Sequence, residues 1–195
     1  SNDTGTAISE GNLKKSGTDS ATTRCNSTMA VSNGKWYFEA KLTTAQAYST
    51  IGIGQGFLFG QYPGNDSVSY AQTLEQGSSI NNNSQPSYGS ALSSGDIFIC
   101  AFDLDNNKIF FGKNGTWFNS SNPATGTSPV YTLSSGEYTV ITRPYNSSAV
   151  LEVNFGSPSF AISSGNADGN GYGNFEYAPP SGYYSICTKN LAEFG

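Results

Sequence analysis

Apolar positions in this chain recur with a period of two, not the period of about 3.6 that marks an amphipathic helix. In Trp36-Tyr37-Phe38-Glu39-Ala40-Lys41-Leu42, Trp36, Phe38, Ala40 and Leu42 share one face, and Tyr37, Glu39 and Lys41 share the other. Side chains of an extended strand alternate between its two sides, so this run predicts a half-buried strand with Trp36 in the core. Glu39, and Glu152 in a later strand, are expected to face outward. Ser49-Thr50-Ile51-Gly52-Ile53-Gly54 predicts a second strand that opens into a Gly-rich corner. Residues 97–104 are almost continuously apolar, the pattern of a central strand covered on both faces. Asp105-Asn106-Asn107 then closes a tight turn, and Lys108-Ile109-Phe110-Phe111-Gly112 forms a short strand. Asn114-Gly115 is a strong hairpin signal, because both residues tolerate positive φ. Residues 138–143 and 149–155 are further strands. The best helix candidate, residues 71–75, is shorter than two turns. Residues 55–95 are expected to be one long irregular segment, of the kind that is functional or mobile. Strands at this spacing predict an all-β antiparallel sandwich or barrel.

The length of 195 residues fits one domain, or one domain with a short appendage. Such a chain buries roughly 70% of its unfolded surface and needs no disulfide staples. Gly, Ser, Thr and Asn fill nearly half of all positions, which disfavours helices. The 12 Tyr, 12 Phe and 2 Trp are too many aromatics for a disordered chain. A surface solubilised by hydroxyl and amide groups is common outside cells and on virions. The net charge of −5 argues against nucleic acid, whose phosphates need clustered Lys and Arg. The longest apolar run has six residues, far from the about 20 that span a bilayer, so no membrane insertion is expected. No signal-peptide pattern opens the chain.

Histidine is absent, which removes Ser-His-Asp and Cys-His mechanisms and His-ligated metal sites. Cys25, Cys100 and Cys187 show no CxxC spacing and are expected to be free thiols, with a Cys25–Cys187 pairing left open. Asp103-Leu104-Asp105-Asn106-Asn107 begins like a calcium loop, but Lys108 stands where Gly is needed and Asn114 where the bidentate Glu belongs. It reads as a turn. Calcium held by carbonyls with Asp66 or Asp168 stays open. Gly52-Ile53-Gly54-Gln55-Gly56 has the wrong spacing, and no following helix, for a phosphate cradle. Among Glu39, Glu75, Glu137, Glu152 and Glu176, no two share a strand at a spacing that brings carboxyl groups to the about 5 Å of a retaining glycosidase. No catalytic, cofactor-binding or metal residue is assigned.

The order of these pieces resembles the SPRY domain, the core of the B30.2 fold. Gly34-Lys35-Trp36-Tyr37-Phe38-Glu39 and Ile51-Gly52-Ile53-Gly54 carry part of the likeness. Its most specific part is Gly95-Asp96-Ile97-Phe98-Ile99-Cys100-Ala101-Phe102-Asp103-Leu104-Asp105, continuing through Lys108 to the Asn114-Gly115 turn. Val153-Asn154-Phe155-Gly156 followed by Phe160 matches the closing strand. The resemblance covers roughly residues 20–160. It implies a concanavalin-like sandwich of two curved antiparallel sheets with ligand loops at one end. The tail, Pro179-Pro180-Ser181-Gly182-Tyr183-Tyr184-Ser185-Ile186-Cys187-Thr188-Lys189-Asn190-Leu191, is similar to a terminal motif of bacteriophage virion proteins.

These readings together predict a SPRY-like sandwich over residues 1–164 and a linker and short C-terminal arm over 165–195. The expected function is non-enzymatic. The protein would be a structural component of a phage virion, as capsid decoration, head fibre or tail fibre, located on the particle surface. Its partners would be other virion proteins, further copies of itself, and a host surface glycan or receptor. Two alternatives are a virion-associated glycan hydrolase or lyase and an intracellular SPRY adaptor that binds peptides. Aromatics in turn-rich segments give contact area with a polar handle. Phe57, Phe59, Tyr62, Tyr70, Tyr88, Trp117 and Tyr145 are the candidates, with Tyr62, Tyr70, Tyr88, Trp117 and Tyr145 chosen for ligand or partner contact. In the arm, Tyr183, Tyr184, Ile186, Leu191 and Phe194 are assigned to a subunit contact.

Overall fold

Alternating strands can bury their apolar faces only by pairing into sheets and stacking those sheets. The computed structural model, which describes residues 7–17, 24–56 and 61–195, shows this sandwich. Its strands in chain order begin with β1 (Ala7–Ser9), β2 (Lys14–Ser16), β3 (Cys25–Val31), β4 (Lys35–Thr44), β5 (Thr50–Gln55), β6 (Ser69–Thr73) and β7 (Ser78–Ile80). They continue with β8 (Ile97–Asp103), β9 (Lys108–Lys113), β10 (Thr116–Trp117), β11 (Tyr131–Thr132), β12 (Tyr138–Arg143), β13 (Val150–Asn154) and β14 (Tyr184–Ser185). A short helix, α1 (Thr188–Phe194), ends the chain. Among the described residues the larger sheet has nine strands on the path β1-β2-β13-β4-β8-β9-β10, with β11 on the free part of β9. The smaller sheet runs β3-β12-β5-β6-β7. Every pairing is antiparallel except β14, which lies parallel to β4 at Trp36 and Tyr37.

Between the sheets, Trp36, Phe38, Ala40 and Leu42 of β4 meet Ile51 and Ile53 of β5 and Tyr138 and Val140 of β12. The alternation in β4 is the predicted one. β8 is buried along its whole length. Phe98, Cys100 and Phe102 enter the inter-sheet core, whereas Ile97, Ile99 and Ala101 join a second cluster on the outer face with Tyr37, Phe110, Phe175 and Tyr183. The β9–β10 hairpin turns on Asn114 and Gly115 at φ of 49° and 77°. Asn114 also accepts from the Ile97 amide at 2.8 Å and donates to Asp96 at 2.7 Å, so one side chain fixes both the turn and the start of β8. Gly52 is required by packing, since a Cβ there would lie 2.0 Å from the Tyr70 carbonyl oxygen.

Three expectations change. Residues 71–75 are not helical: Ala71 pairs with Gly52 on one side and Ile80 on the other, and only Leu74–Gln76 turns as a 3-10 helix. Two ladders outweigh a helix too short to stabilise itself. Residues 55–95 are therefore not one irregular segment, because β6 and β7 lie within them. Glu39 and Glu152 do alternate away from the core, but neither is exposed. Glu152 accepts from the hydroxyls of Thr43 at 2.6 Å and Ser159 at 2.9 Å. Glu39 is fully buried because the C-terminal segment covers it.

That segment is held by two carboxylates. Glu39 accepts from the amides of Glu176 at 3.0 Å and Tyr177 at 2.7 Å, from Asn154 Nδ2 at 3.1 Å and from the Tyr37 hydroxyl at 3.1 Å. Asp168 Oδ1 accepts from the amides of Asn170 and Tyr172. Its Oδ2 accepts from the Ser185 amide and hydroxyl and from Asn190 Nδ2, at 2.9, 2.8 and 2.7 Å. Protein donors thus occupy both oxygens of Asp168. Cys25, Cys100 and Cys187 are free thiols.

Burial acts to raise the pKa of Asp168, but the bonds from Ser185, Tyr172 and Asn190 outweigh it and hold the carboxyl below its usual range. Its contribution to stability is therefore complete above the unfolded value, near 3.8, and is lost as the pH falls through the depressed folded value. Asp168→Ala leaves the Ser185 and Tyr172 amides without their acceptor and Asn190 Nδ2 with only the Ser185 oxygens, at a cost of about 3 kcal/mol. Limited proteolysis should then cut first within residues 165–195. Cleavage at the same sites and rates in wild type and variant would refute this role.

Candidate functional site

β5, β6 and β12 lie side by side in the smaller sheet, with Arg143 paired to Thr50 and Thr50 to Thr73. Inward-facing Ile51, Ile53 and Val140 leave Thr50, Thr73 and Arg143 on the outer face, at the sheet end where loops gather. Arg143 precedes Pro144, which keeps its backbone extended and ends the strand. The loops deliver Tyr48, Tyr62, Gln85 and Tyr145 around it, forming a cleft of about 340 Å³.

The Arg143 guanidinium lies 4.6 Å from the Tyr145 ring centroid and 5.4 Å from that of Tyr62. Tyr48 meets Tyr145 edge-on at 5.6 Å, and its carbonyl accepts from Arg143 Nη1 at 3.4 Å. Tyr62 donates to the Asn83 side chain. Tyr48 is half exposed and sits at φ 68°, an uncommon conformation for a bulky residue that the surrounding loop imposes. Arg143 is only 6% exposed, its Nε has no partner, and among the described residues no carboxylate pairs with it. Burial lowers its pKa from the ordinary arginine value. A desolvated cation between π faces, with a donor unused, attracts an incoming acceptor strongly.

Of the residues proposed from sequence, Tyr62 and Tyr145 converge in this cleft. Tyr70 lies between the sheets, 5% exposed, and its hydroxyl accepts from the Ser134 amide at 3.1 Å. Tyr88 packs edge-on against Phe118, and Trp117 edge-on against Tyr37. Phe57 and Phe59 lie outside the described residues. The five arm residues all contact their own sandwich. Tyr183 and Ile186 are buried, the Tyr183 hydroxyl donates to the Pro123 carbonyl at 3.2 Å, Tyr184 stacks on Phe194 at 4.1 Å, and Leu191 packs against the inter-sheet core. Sequence reading missed Tyr48 and Arg143. The available signal was that Arg143 is one of only two arginines and stands beside Pro144-Tyr145 at a strand end.

Comparison with known proteins bears on both fold and function. The family model for the SPRY domain matches residues 35–139. The chain is 32% identical over 120 residues to Ran-binding protein 9 of Danio rerio, covering 55% of this chain and 20% of that protein. The same identity holds with Ran-binding protein 9 of Homo sapiens, of which 16% is covered. The Ran-binding proteins 9/10 homolog of Drosophila melanogaster is 29% identical over 119 residues, with 12% covered. The chain thus spans about a fifth or less of these relatives. They are animal proteins, and this overturns the expectation of a phage virion component on a particle surface. The virion neighbours, copies of itself on a particle and host glycan or receptor expected with it fall for the same reason. In the arm, Tyr183 and Ile186 are buried, while Tyr184, Leu191 and Phe194 are partly buried against the sandwich.

Replacing Arg143 with Met removes two ring contacts but also a buried cation without a carboxylate partner, effects of opposite sign and each about 1–2 kcal/mol. Arg143→Met should change unfolding free energy by less than about 1 kcal/mol in urea titration. A loss above about 3 kcal/mol would make Arg143 a structural residue and remove the cleft from consideration.

Proposed function

The chain belongs to the SPRY domain family, and on that premise we propose that it is a non-catalytic, intracellular protein-binding module. It takes a short peptide segment of its partner in the Arg143 cleft. The observation that carries this reading is the buried arginine between Tyr62 and Tyr145 with a donor unused and, among the described residues, no carboxylate paired with it. Tyr and Arg dominate binding energy at protein interfaces, and tyrosine loses little conformational entropy on contact. A cleft of about 340 Å³ admits a few side chains of an extended segment rather than a folded surface. The segment supplies a carboxylate or carbonyl to Arg143 and packs its apolar parts on Tyr48 and Tyr145. Relatives named for binding Ran support a protein as the partner class. In this reading residues 1–164 carry the binding surface, and residues 165–195 clasp the back of the larger sheet.

Selection of surface-displayed short peptides on the immobilised chain tests the proposal. Enriched peptides should carry an acidic residue beside apolar ones. Their affinity should fall by about 30-fold or more with Tyr145→Ala or Arg143→Met, a loss of roughly 2 kcal/mol. Tyr48→Ala, at the half-exposed rim, should weaken binding while leaving the fold untouched. Peptides that bind all three variants as they bind wild type would refute the cleft as the site.

A further inference from the structure

A second cavity of about 400 Å³ opens at the opposite edge of the sandwich, between the β1–β2 turn and β3. Asn12 and Thr28 at its mouth are exposed, while the interior is lined by Leu13, Met29, Val153, Phe155 and Ile186. One cation stands in it. Lys15 pairs with Leu151 of β13 and so faces inward with it, and is 4% exposed. Its side chain crosses from the larger sheet to the smaller one, where Nζ donates to Thr142 Oγ1 at 2.6 Å. Among the described residues Thr142 is its only hydrogen-bond partner, and no carboxylate pairs with it. Nothing about the sheet requires this charge, since an unbranched apolar side chain would fill the same space without desolvation. Burial among apolar side chains disfavours the ammonium and lowers the pKa of Lys15 to about 7.

We propose that this inter-sheet cavity binds a small carboxylate with an apolar tail, of the medium-chain fatty acid kind, with Lys15 as the counter-ion. The carboxylate accepts from the Lys15 donors that Thr142 leaves unused, and the Thr142 hydroxyl donates its own proton to the same group. The tail lies along Met29, Val153 and Phe155. A charge in an apolar cavity is stabilised when an opposite charge arrives with further hydrogen bonds, and the size matches pockets that enclose small ligands. The site shares no residue with the Arg143 cleft.

Isothermal titration of the full chain with octanoate tests this directly. The expected result is saturable binding of one octanoate per chain. Octanol, which has the tail without the charge, and acetate, which has the charge without the tail, should each bind at least tenfold more weakly. Lys15→Met should remain folded, because an apolar side chain of similar length replaces the buried amine, and should lose at least tenfold in octanoate affinity. Leu13→Trp, in the lining, provides a second variant that fills the cavity while leaving Lys15 in place and should also abolish binding. No saturable octanoate binding by the wild type, or binding unchanged in both variants, would overturn the proposal.

Discussion

The carboxylate of Glu39 holds the structure's least obvious joint. It sits in the middle of β4, the strand that pairs with β8, β13 and β14, and points away from the inter-sheet core. A buried carboxylate needs hydrogen bonds to offset its desolvation, and burial indeed pushes its pKa up. Two backbone amides from the C-terminal segment, together with Tyr37 and Asn154, supply those bonds. The larger sheet thereby acquires a second apolar layer, in which Phe175 lies 5.1 Å edge-on from Tyr37. An antiparallel sheet with one wet face becomes a sheet covered on both.

The outer face of the smaller sheet is covered as well, by loops: Thr50, Ala71, Thr73 and Ile141 on it are all buried. Small residues there, Gly52, Ala71, Thr50 and Thr73, allow loops to lie close to the strands. Arg143 and its tyrosines rest on this floor. The strained backbone of Tyr48 and the uncompensated charge of Arg143 occur together, and destabilising features concentrate where a ligand completes them.

The core was legible because alternation is local. Trp36, Phe38, Ala40 and Leu42 can face only one way, and Asn114-Gly115 can form only one kind of turn. Glu39 was misread for the same reason. Alternation places it opposite Trp36 and Phe38, but whether that side is wet depends on residues 176 and 177, distant in sequence. The cleft was half legible. Tyr62 and Tyr145 stood out as aromatics in turn-rich segments, yet nothing local tells that β5 and β12 are neighbours and bring their loops together. Lys15, within a Lys-Lys pair, looks like surface until β2 is seen beside β13. The virion reading rested on a tail motif, whose residues Ser185 and Asn190 serve here to grip Asp168.

β14 completes β4 from the far end of the chain, and β2 pairs with β13 across a similar sequence distance. Both ladders flank the centre of one sheet, so its first-made strands wait for its last. On a ribosome, β4 emerges long before Ser185 exists, and its Trp36–Tyr37 edge stays open until residues 184 and 185 have left the exit tunnel. Pairings of such long range are slow to form and leave strand edges exposed meanwhile. The larger sheet is consequently finished only when Tyr184 and Ser185 reach β4.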